Sequence, residues 1–323
     1  MSEPYPDFVA RFYDAVYAQV RDGVDNEFYL HRMAAAGGPA LEIGVGTGRP
    51  SLGCCTLPSR RHSTMDTWKF YDITHHEHVV CNPTSEDKLA RLVGLLRLPA
   101  KARVVDIACG KGQFLIRLAE PYGIRGIGID ISPFCIADAE RQLQARASGA
   151  EVAFTQMNGS DFRPEEPHSL ALASCIGASW VFGGHAETLD ALSGMVAPDG
   201  WVIVGEPYWL REPSEEYLAA SGLTRDALRT HPGNVEAGEL RGLELVHTFV
   251  SSQDDWDRYE GLQWHATAEY ARRHPDDPDL PELVERVAKA KVEYLRWGRD
   301  TLGWAMYVFR SSPARSATSA LLL

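Results

Sequence analysis

The sequence has few of the features that mark secreted, membrane-spanning or metal-binding proteins. Its apolar runs are too short to span a bilayer, and its acidic, aromatic N-terminus lacks the basic and apolar segments of a secretory signal. The six cysteines show no C-x-x-C spacing, and the histidine-rich residues 75–78 lack the H-E-x-x-H spacing of a zinc site. We therefore expect a cytoplasmic protein with free thiols, without a membrane partner and without a bound metal.

Basic residues are scarce relative to acidic ones. The chain has 32 Lys and Arg against 44 Asp and Glu, which gives a formal net charge of −12. Because binding to nucleic acid requires a basic surface that neutralises phosphates, this balance argues against nucleic acid as the main partner. At 323 residues and 45% hydrophobic composition, the chain can bury a large core in one elaborated domain or in two domains.

The chain is organised around residues 104–115, which begin as an apolar strand, turn through small residues and continue as an amphipathic helix. Glycines at such a turn let backbone N–H groups approach a ligand closely, because no Cβ blocks the way. A dinucleotide-binding loop needs G-x-G-x-x-G, but the third glycine position after Gly110 and Gly112 is Leu115. Asp106, at the end of the strand, suits a cationic amine better than a phosphate.

Residues 126–130 predict a second strand that also ends in an acid, Asp130. Ser132 and Pro133 then predict the start of a helix, with serine as the N-cap and proline at the first helical position. A carboxylate at the end of this strand can accept hydrogen bonds from both hydroxyls of a ribose. An ordinary βαβ unit with a chance aspartate is the alternative explanation.

The order of these features resembles the first two motifs of class I S-adenosylmethionine (SAM) methyltransferases. Asp106 is followed by small residues at two-residue steps, with Ala108 where that family usually has glycine. The resemblance covers about residues 65–311 and implies an α/β fold, a doubly wound, mostly parallel, seven-stranded Rossmann-like sheet. It also implies that Asp106 and Asp130 hold opposite ends of SAM.

The resemblance assigns to SAM a set of residues on the loops after the first four strands. Asn158 occupies the position where the family commonly has an aspartate facing the adenine amino group, and Asp161 is the alternative if the loop is shifted. A surface turn built from Asn158 and Gly159 would explain the same residues without a ligand. The predicted cofactor-binding residues are Asp106, Ala108, Cys109, Gly110, Gly112, Gln113, Asp130, Ile131, Ser132, Asn158, Gly159, Asp161 and Cys175.

Aromatic and titratable residues later in the chain predict where the methyl acceptor binds. Residues 205–209 (GEPYW) are similar to a segment of a little-characterised bacterial group of these enzymes, which carries a stretch similar to residues 256–260 as well. Aromatic rings can face a sulfonium through cation–π attraction, although packing alone would also explain them. The predicted substrate-binding residues are Trp180, Glu206, Tyr208, Trp209, Tyr259 and Trp264, and the catalytic candidates are Glu206, His185 and Tyr259.

The flanking and inserted segments are interpreted separately. Residues 39–49 contain a fuller copy of the glycine motif, but no acid-ended strand follows, so residues 1–64 are interpreted as a truncated methyltransferase start and an aperiodic join. A functional extension, such as a lid or dimer element, is the alternative. Residues 253–300 predict a helical cap inserted before the last strand, and residues 312–323 predict a disordered tail.

These features together predict a SAM-dependent methyltransferase that moves a methyl group to a small-molecule acceptor by in-line displacement. Two other classes of protein fit parts of the sequence. A SAM-binding protein without catalysis, regulatory or decayed, is consistent with Ala108 and Asn158. A nucleotide-dependent oxidoreductase is disfavoured by the missing third glycine.

Overall fold

The computed structural model describes residues 65–311 in two units. Residues 65–67 and 213–227 belong to one unit, and residues 68–212 and 228–311 belong to the other. The predictions for residues 1–64 and 312–323 lie outside the described residues. In chain order the elements are α1 (Thr67–Thr74), α2 (Glu86–Leu96), β1 (Arg103–Ile107), α3 (Gln113–Tyr122), β2 (Arg125–Asp130), α4 (Pro133–Ala147), β3 (Glu151–Gln156), β4 (Leu170–Ile176), α5 (His185–Ser193), β5 (Val196–Trp209), α6 (Glu215–Ser221), α7 (His231–Glu239), β6 (Leu243–Val250), α8 (Gln253–Arg273), α9 (Leu280–Glu293) and β7 (Leu302–Ser311).

The seven strands form one mixed sheet in the order β3-β2-β1-β4-β5-β7-β6. The first five strands pair in parallel, and β7 is antiparallel to both β5 and β6. The last two strands therefore pair antiparallel, with β7 between β5 and β6 and with β6 at the edge of the sheet. This order places β1 in the interior of the sheet, between β2 and β4, where the direction of winding reverses.

Alternate residues of the strands pack against helices on the two faces of the sheet. On one face, Val105 and Val204 lie in the same buried cluster as Leu189 of α5. On the other face, Val104 and Leu172 lie in a second cluster with residues of α2 and α3. Complete burial of each such aliphatic side chain contributes about 1.5–3 kcal/mol, so both faces stabilise the sheet. Among residues 65–311, no helix combines the length and apolar character needed to cross a bilayer.

The start of α4 follows from its local sequence. The Ser132 hydroxyl accepts a hydrogen bond from the Cys135 N–H (3.3 Å), and Pro133 occupies the first turn, where its missing N–H is not needed. These signals confirm the predicted helix over residues 133–147. The Ser132 cap and Pro133 also fix the direction in which the chain leaves the carboxyl end of β2.

The segment between β6 and β7 is helical, and α8, α9 and the residues beside them contact one another and α1. The Asp257 carboxylate of α8 accepts hydrogen bonds from the Tyr294 hydroxyl (2.7 Å) and the Arg299 guanidinium (2.9 Å), which follow α9. Lys69 of α1 donates to Asp277 (3.0 Å) and Asp279 (2.6 Å) between α8 and α9. These contacts tie the inserted helices to the start of the sheet-containing unit.

The smaller unit contributes the short helix α6. The Ser214 hydroxyl caps this helix by accepting a hydrogen bond from the Tyr217 N–H (3.2 Å). Gly222 ends it in the left-handed conformation, with a φ of +74°. Both ends of α6 are therefore fixed by residues adjacent to it in the chain.

Candidate functional site

The candidate site lies where the carboxyl ends of β1, β2 and β4 meet. The register pairs Asp106 of β1 with Gly128 of β2 and with Ser174 of β4. Because the strand order reverses on either side of β1, a crevice forms beyond these strand ends, which is where doubly wound sheets bind ligands. Asp130 ends β2 at the same edge. The structure thus places both acids of the two sequence motifs at one edge of the sheet.

The loop after β1 has an alternating left-handed backbone. Ala108, Gly110 and Gly112 have φ values of +54°, +54° and +70°. An L-residue in this region costs about 1–2 kcal/mol, and Ala108 carries that strain in place of the usual glycine. Gly112 is the N-cap of α3 and provides no side-chain acceptor, so the first N–H groups of the helix are left to bind a ligand or solvent. The substitution at Ala108 therefore leaves the conformation of a ligand-binding loop in place.

Two of the glycines allow the loop to pack against β2 and β3. A Cβ atom added to Gly112 would lie 2.4 Å from the ring of Phe154, and one added to Gly128 would lie at the same distance from that ring. The Cys109 sulfur lies 2.9 Å from the same Gly128 position, and the Cys109 N–H donates to the Ile129 carbonyl (2.9 Å). The loop after β1, residues 108–112, therefore follows β2 closely because neither glycine carries a side chain. We call these residues the cofactor loop below.

Asp130 joins the loop after β1 to the loop after β2. One carboxylate oxygen accepts a hydrogen bond from the Gly110 N–H (2.8 Å), and the other accepts one from the Ser132 N–H (2.8 Å). Burial raises the pKa of Asp130, while these N–H groups oppose the shift. Each oxygen keeps a second lone pair, so the carboxylate can still accept hydrogen bonds from two neighbouring hydroxyls.

Asp106 is buried beside β4 and accepts a hydrogen bond from the Ser174 hydroxyl (2.7 Å). Burial raises its pKa to about 7, the Ser174 hydroxyl opposes this shift and the charge of Asp130 adds to it. No cationic side chain within residues 65–311 forms an ion pair with Asp106. A buried carboxylate of this kind is suited to a ligand that brings its own positive charge.

The turn after β3 is built by Asn158. Its side-chain carbonyl accepts hydrogen bonds from the N–H (3.1 Å) and the hydroxyl (3.0 Å) of Ser160, and a 3-10 turn follows over Gly159–Asp161. A Cβ added to Gly159 would lie 2.5 Å from Ile107, so this turn lies against the end of β1. Asp161 is exposed. The Asn158 side-chain carbonyl thus already accepts hydrogen bonds within the turn. An adenine-binding role for Asn158 or Asp161 stays a prediction.

The remaining predicted cofactor residues differ in their surroundings. Ile131 is half-buried, and its carbonyl accepts a hydrogen bond from Gln156 (3.2 Å). The Gln113 amide pairs with Gln142, and its oxygen also accepts from Arg146 (3.1 Å). Cys175 is completely buried in the core, and its contact with a cofactor stays a prediction.

Lys111 is a site residue that the sequence motifs did not identify. Its ammonium donates to the carbonyls of His75 (2.9 Å) and His76 (3.1 Å) and forms an ion pair with Asp138 of α4 (3.2 Å). The side chain is only 9% exposed, so these contacts satisfy a charge that has been largely removed from water. Lys111 thereby holds residues 75–85, the segment before α2, against the cofactor loop.

Tyr259 of the inserted helix α8 contacts that same segment. Its hydroxyl lies 3.0 Å from Nε2 of His75, and its backbone carbonyl lies 2.8 Å from Nε2 of His78. Burial lowers the pKa of His75 to about 3 and that of His78 to about 4, so both imidazoles are neutral at pH 7. Because Nε2 of His78 donates to a carbonyl, its Nδ1 is a hydrogen-bond acceptor, and this buried atom has no partner in the described part of the chain.

Glu206 and His185, two of the catalytic candidates, lie close together below the sheet edge. Oε2 of Glu206 is 3.9 Å from Nδ1 of His185, whose Nε2 lies 3.0 Å from the Asn234 carbonyl. Burial raises the pKa of Glu206 to about 7, against an opposing hydrogen bond from Ser179, and lowers the pKa of His185 to about 4. Oε2 of Glu206, Nδ1 of His185 and Oδ1 of Asn234 are all buried and have no hydrogen-bond partner among residues 65–311. The pair can therefore hold one proton near neutral pH.

Replacing Glu206 with glutamine is expected to stabilise the protein by about 2–3 kcal/mol at pH 8 and much less at pH 5. The raised pKa means that the folded state binds a proton that the unfolded state releases between pH 4.5 and about 7, so stability falls as the pH rises through this window. Urea unfolding at both pH values measures the difference, with the exposed Glu244 changed to glutamine as the control. An equal change in the free energy of unfolding at the two pH values in E206Q would contradict the raised pKa of Glu206.

The other predicted aromatic residues are packed against protein groups. The Tyr208 ring lies 5.0 Å from the His231 ring and fills the space above Gly303. Trp209 is buried, and its backbone N–H donates to the Arg229 carbonyl (2.9 Å). The other two are Trp180, which packs against the core beside α5, and Trp264, whose ring lies 6.2 Å from that of Tyr294. Their contribution to acceptor binding stays a prediction.

Comparisons with known proteins agree with this geometry. Residues 104–200 match the family described as methyltransferase domain. The uncharacterised protein YjhP of Escherichia coli K12 is 32% identical over 246 residues, which span 75% of this chain and 98% of YjhP. The crystal structure of YjhP superposes with a TM-score of 0.71, over 75% of this chain and 99% of that one. A SAM-dependent methyltransferase from Thiobacillus denitrificans, solved with S-adenosylhomocysteine, is 30% identical, with a TM-score of 0.70 over 75% of this chain and 98% of its own.

A further structure with the same product bound extends this result. A SAM-dependent methyltransferase from Geobacter sulfurreducens in complex with S-adenosylhomocysteine is 28% identical, with a TM-score of 0.70 over 75% of this chain and 97% of that chain. The fold and the site define a Rossmann-like methyltransferase. The chain belongs to the SAM-dependent methyltransferase family that includes YjhP and these two enzymes, and SAM is its cofactor. The buried acids and the glycine loop fit this cofactor, which carries an ammonium group and a ribose.

Proposed function

We propose that this protein transfers the methyl group of SAM to a small-molecule acceptor held beneath the inserted helices. The observation that carries this proposal is the contact of Tyr259 with His75 and His78. It brings the insertion and the segment before α2 together beside the cofactor loop. When bound, SAM supplies an electrophilic methyl group, so the protein must mainly position the acceptor and exclude water.

Two sets of contacts enclose the proposed acceptor site, which we call the enclosure. Lys111 holds the carbonyls of His75 and His76 on the cofactor loop, and the two imidazole contacts hold Tyr259 of α8 on the same segment. We expect a helix fixed in this position to admit a small acceptor and to keep a folded macromolecule away from the methyl group. The inserted helices α8 and α9 thus act as a cap.

The neutral side chains of His75 and His78 determine which hydrogen-bond acceptors the enclosure offers. Nδ1 of His75 lies 3.0 Å from the Thr74 hydroxyl, which itself donates to the Phe70 carbonyl (2.9 Å). Nδ1 of His75 therefore carries the proton, and Nε2 accepts the hydrogen bond from the Tyr259 hydroxyl. This chain of hydrogen bonds orients Tyr259 and leaves its oxygen lone pairs, together with Nδ1 of His78, to accept hydrogen bonds from an O–H or N–H of the acceptor.

The destination of the methyl group tests this proposal. The purified chain is incubated with methyl-labelled SAM and a bacterial extract, and the products are separated into small-molecule, protein and nucleic-acid fractions. We expect the label in the small-molecule fraction, and no such label with the Asp130→Ala variant. Label transferred to protein or nucleic acid, or no transfer at all, would contradict the proposal.

SAM affinity is expected to rise about tenfold between pH 6 and pH 8. Asp106 has a pKa of about 7 in the free protein, and only its ionised form can pair with the SAM ammonium, so binding releases a proton. Asp130, whose pKa is also raised, acts in the same direction. Calorimetric titration at several pH values measures this dependence, and Asp106→Asn should flatten it. An equally steep dependence in that variant would show that another group is responsible.

A further inference from the structure

One carboxylate of the inserted helices has no partner for its charge. Near the start of α8, Asp255 forms an ion pair with Lys88, and Asp257 forms one with Arg299 (2.9 Å). Glu260 follows on the same helix and is only partly exposed, and within residues 65–311 its carboxylate has no ion pair and no hydrogen bond. Burial raises its pKa to about 7. A carboxylate largely removed from water therefore lacks the positive charge that would compensate it.

Aromatic residues flank Glu260 on one face of α8. Trp256 precedes it by four residues and Trp264 follows it by four, so the three side chains form one row along the helix. Tyr294 begins a π-helical turn after α9, and its ring centroid lies 6.2 Å from that of each tryptophan. The Tyr294 hydroxyl donates to Asp257 (2.7 Å), which fixes the orientation of the ring. We call Trp256, Glu260, Trp264 and Tyr294 the aromatic cage.

The rings of the aromatic cage can bind a cation. The ammonium of the exposed Lys291 lies 4.8 Å from the centroid of the Trp264 ring, within the range of a cation–π contact, but it forms no ion pair with Glu260. The indole N–H of Trp256 is buried and has no acceptor in the described part of the chain. The cage therefore offers an unpaired negative charge, several ring faces and one unused hydrogen-bond donor.

The aromatic cage adjoins the enclosure of the proposed acceptor site. Tyr259 precedes Glu260 in the chain, and its hydroxyl lies 3.0 Å from Nε2 of His75. Its ring packs edge-on against that of Trp256, with the centroids 6.3 Å apart. The enclosure and the cage thus use neighbouring faces of the same turns of α8, so one small molecule can contact both.

We propose that the aromatic cage binds an alkylammonium group of the methyl acceptor, and that this acceptor carries a hydroxyl or ether oxygen close to its cation. Glu260 provides the opposite charge, the three rings provide cation–π contacts, and the Trp256 N–H donates to the oxygen. The identification of this cation with the methyl acceptor rests on the proposed function. The binding of an ammonium compound to the cage does not.

Equilibrium dialysis of the full chain with radiolabelled choline tests the binding of a cation. Choline carries a quaternary ammonium group and a hydroxyl, and 3,3-dimethylbutanol has the same shape without the charge. We expect choline to bind at least about tenfold more tightly than this uncharged compound, measured by competition. Glu260→Gln and Trp264→Leu should each weaken choline binding by about tenfold or more, and Trp264→Phe should weaken it less, because it keeps an aromatic ring.

Glu285→Gln is the matched control, because it removes an exposed carboxylate from the neighbouring helix α9. We expect this variant to bind choline as the unmodified chain does. Choline that does not bind, that binds no more tightly than 3,3-dimethylbutanol, or that binds equally well to Glu260→Gln would overturn the inference. An equal loss of choline binding in Glu285→Gln and Glu260→Gln would do the same, since only one of these residues lies in the cage.

The charge of the methylated product tests the identification of the acceptor. We expect the labelled small-molecule product formed in the bacterial extract to be retained by a cation-exchange resin at neutral pH. A labelled small molecule that passes through the resin would overturn the inference and leave the proposed transfer to a small molecule intact. Label found only on protein or nucleic acid, with choline still bound, would instead contradict the proposed function and with it the identification of the acceptor.

Discussion

Replacing Asp130 with alanine is expected to weaken SAM binding by at least about a hundredfold while the sheet remains folded. If Asp130 binds the ribose as predicted, the variant loses two charge-assisted hydrogen bonds to the ribose hydroxyls, each contributing about 1.5–3 kcal/mol, which together correspond to a factor of a hundred or more. It also leaves the N–H groups of Gly110 and Ser132 without their acceptor. Calorimetric titration measures the affinity, and far-UV circular dichroism checks the fold.

Two further variants make this result interpretable. Asp130→Asn keeps one acceptor oxygen and the shape of the side chain, so we expect an intermediate affinity. Glu140→Ala removes an exposed carboxylate from α4, close in sequence to Asp130, and should bind SAM normally. SAM affinity in Asp130→Ala within threefold of the unmodified chain would show that this acid does not hold the ribose.

Replacing Gly112 with alanine is expected to weaken SAM binding by about thirtyfold or more and to lower the stability by roughly 2–4 kcal/mol. The new Cβ would lie 2.4 and 2.7 Å from atoms of the Phe154 ring and 2.9 Å from Ala139, and the backbone φ of +70° is strained for alanine. The ring cannot simply move toward β2, because the Gly128 position lies 2.4 Å from it. The loop must therefore shift away from the position that binds the cofactor.

Gly123 provides a matched control for backbone strain. It has a φ of +54°, and a Cβ added there meets nothing within 4 Å. Gly123→Ala should therefore cost about 1–2 kcal/mol of stability through strain alone and leave SAM affinity unchanged. Equal losses of SAM affinity in the two variants would show that general destabilisation explains the effect of Gly112→Ala.

The cofactor edge could be predicted because its signals are local. Asp106 and Asp130 each follow an apolar strand, and the carboxyl ends of adjacent parallel strands meet at one edge of a sheet. Ser132 and Pro133 likewise fix the start of α4 through neighbouring backbone groups. In each case the physical cause lies within a few residues of the pattern that reveals it.

The contacts that complete the site could not be predicted, because they join distant segments. Lys111 carries no sequence pattern that points to the His75 carbonyl, and the contact of His75 with Tyr259 spans 184 positions. Such contacts follow from the packing of whole elements and have no local periodicity.

The position of β7 shows a similar limit. Its apolar alternation predicts a strand, but a strand pattern does not specify its neighbours. In the structure β7 is an interior strand with a neighbour on each side, and residues such as Tyr307 and Phe309 are completely buried. Its burial on both faces follows from its place between β5 and β6.

Titration of two ligands against two variants tests the central claim most directly, namely that Asp106 and Asp130 hold opposite ends of SAM. S-adenosylhomocysteine carries the amino-acid group, and 5′-methylthioadenosine lacks it. We expect Asp130→Asn to weaken binding of both ligands and Asp106→Asn to weaken binding of S-adenosylhomocysteine alone. Equal weakening of both ligands by Asp106→Asn, or undiminished binding of both by Asp130→Asn, would contradict the claim.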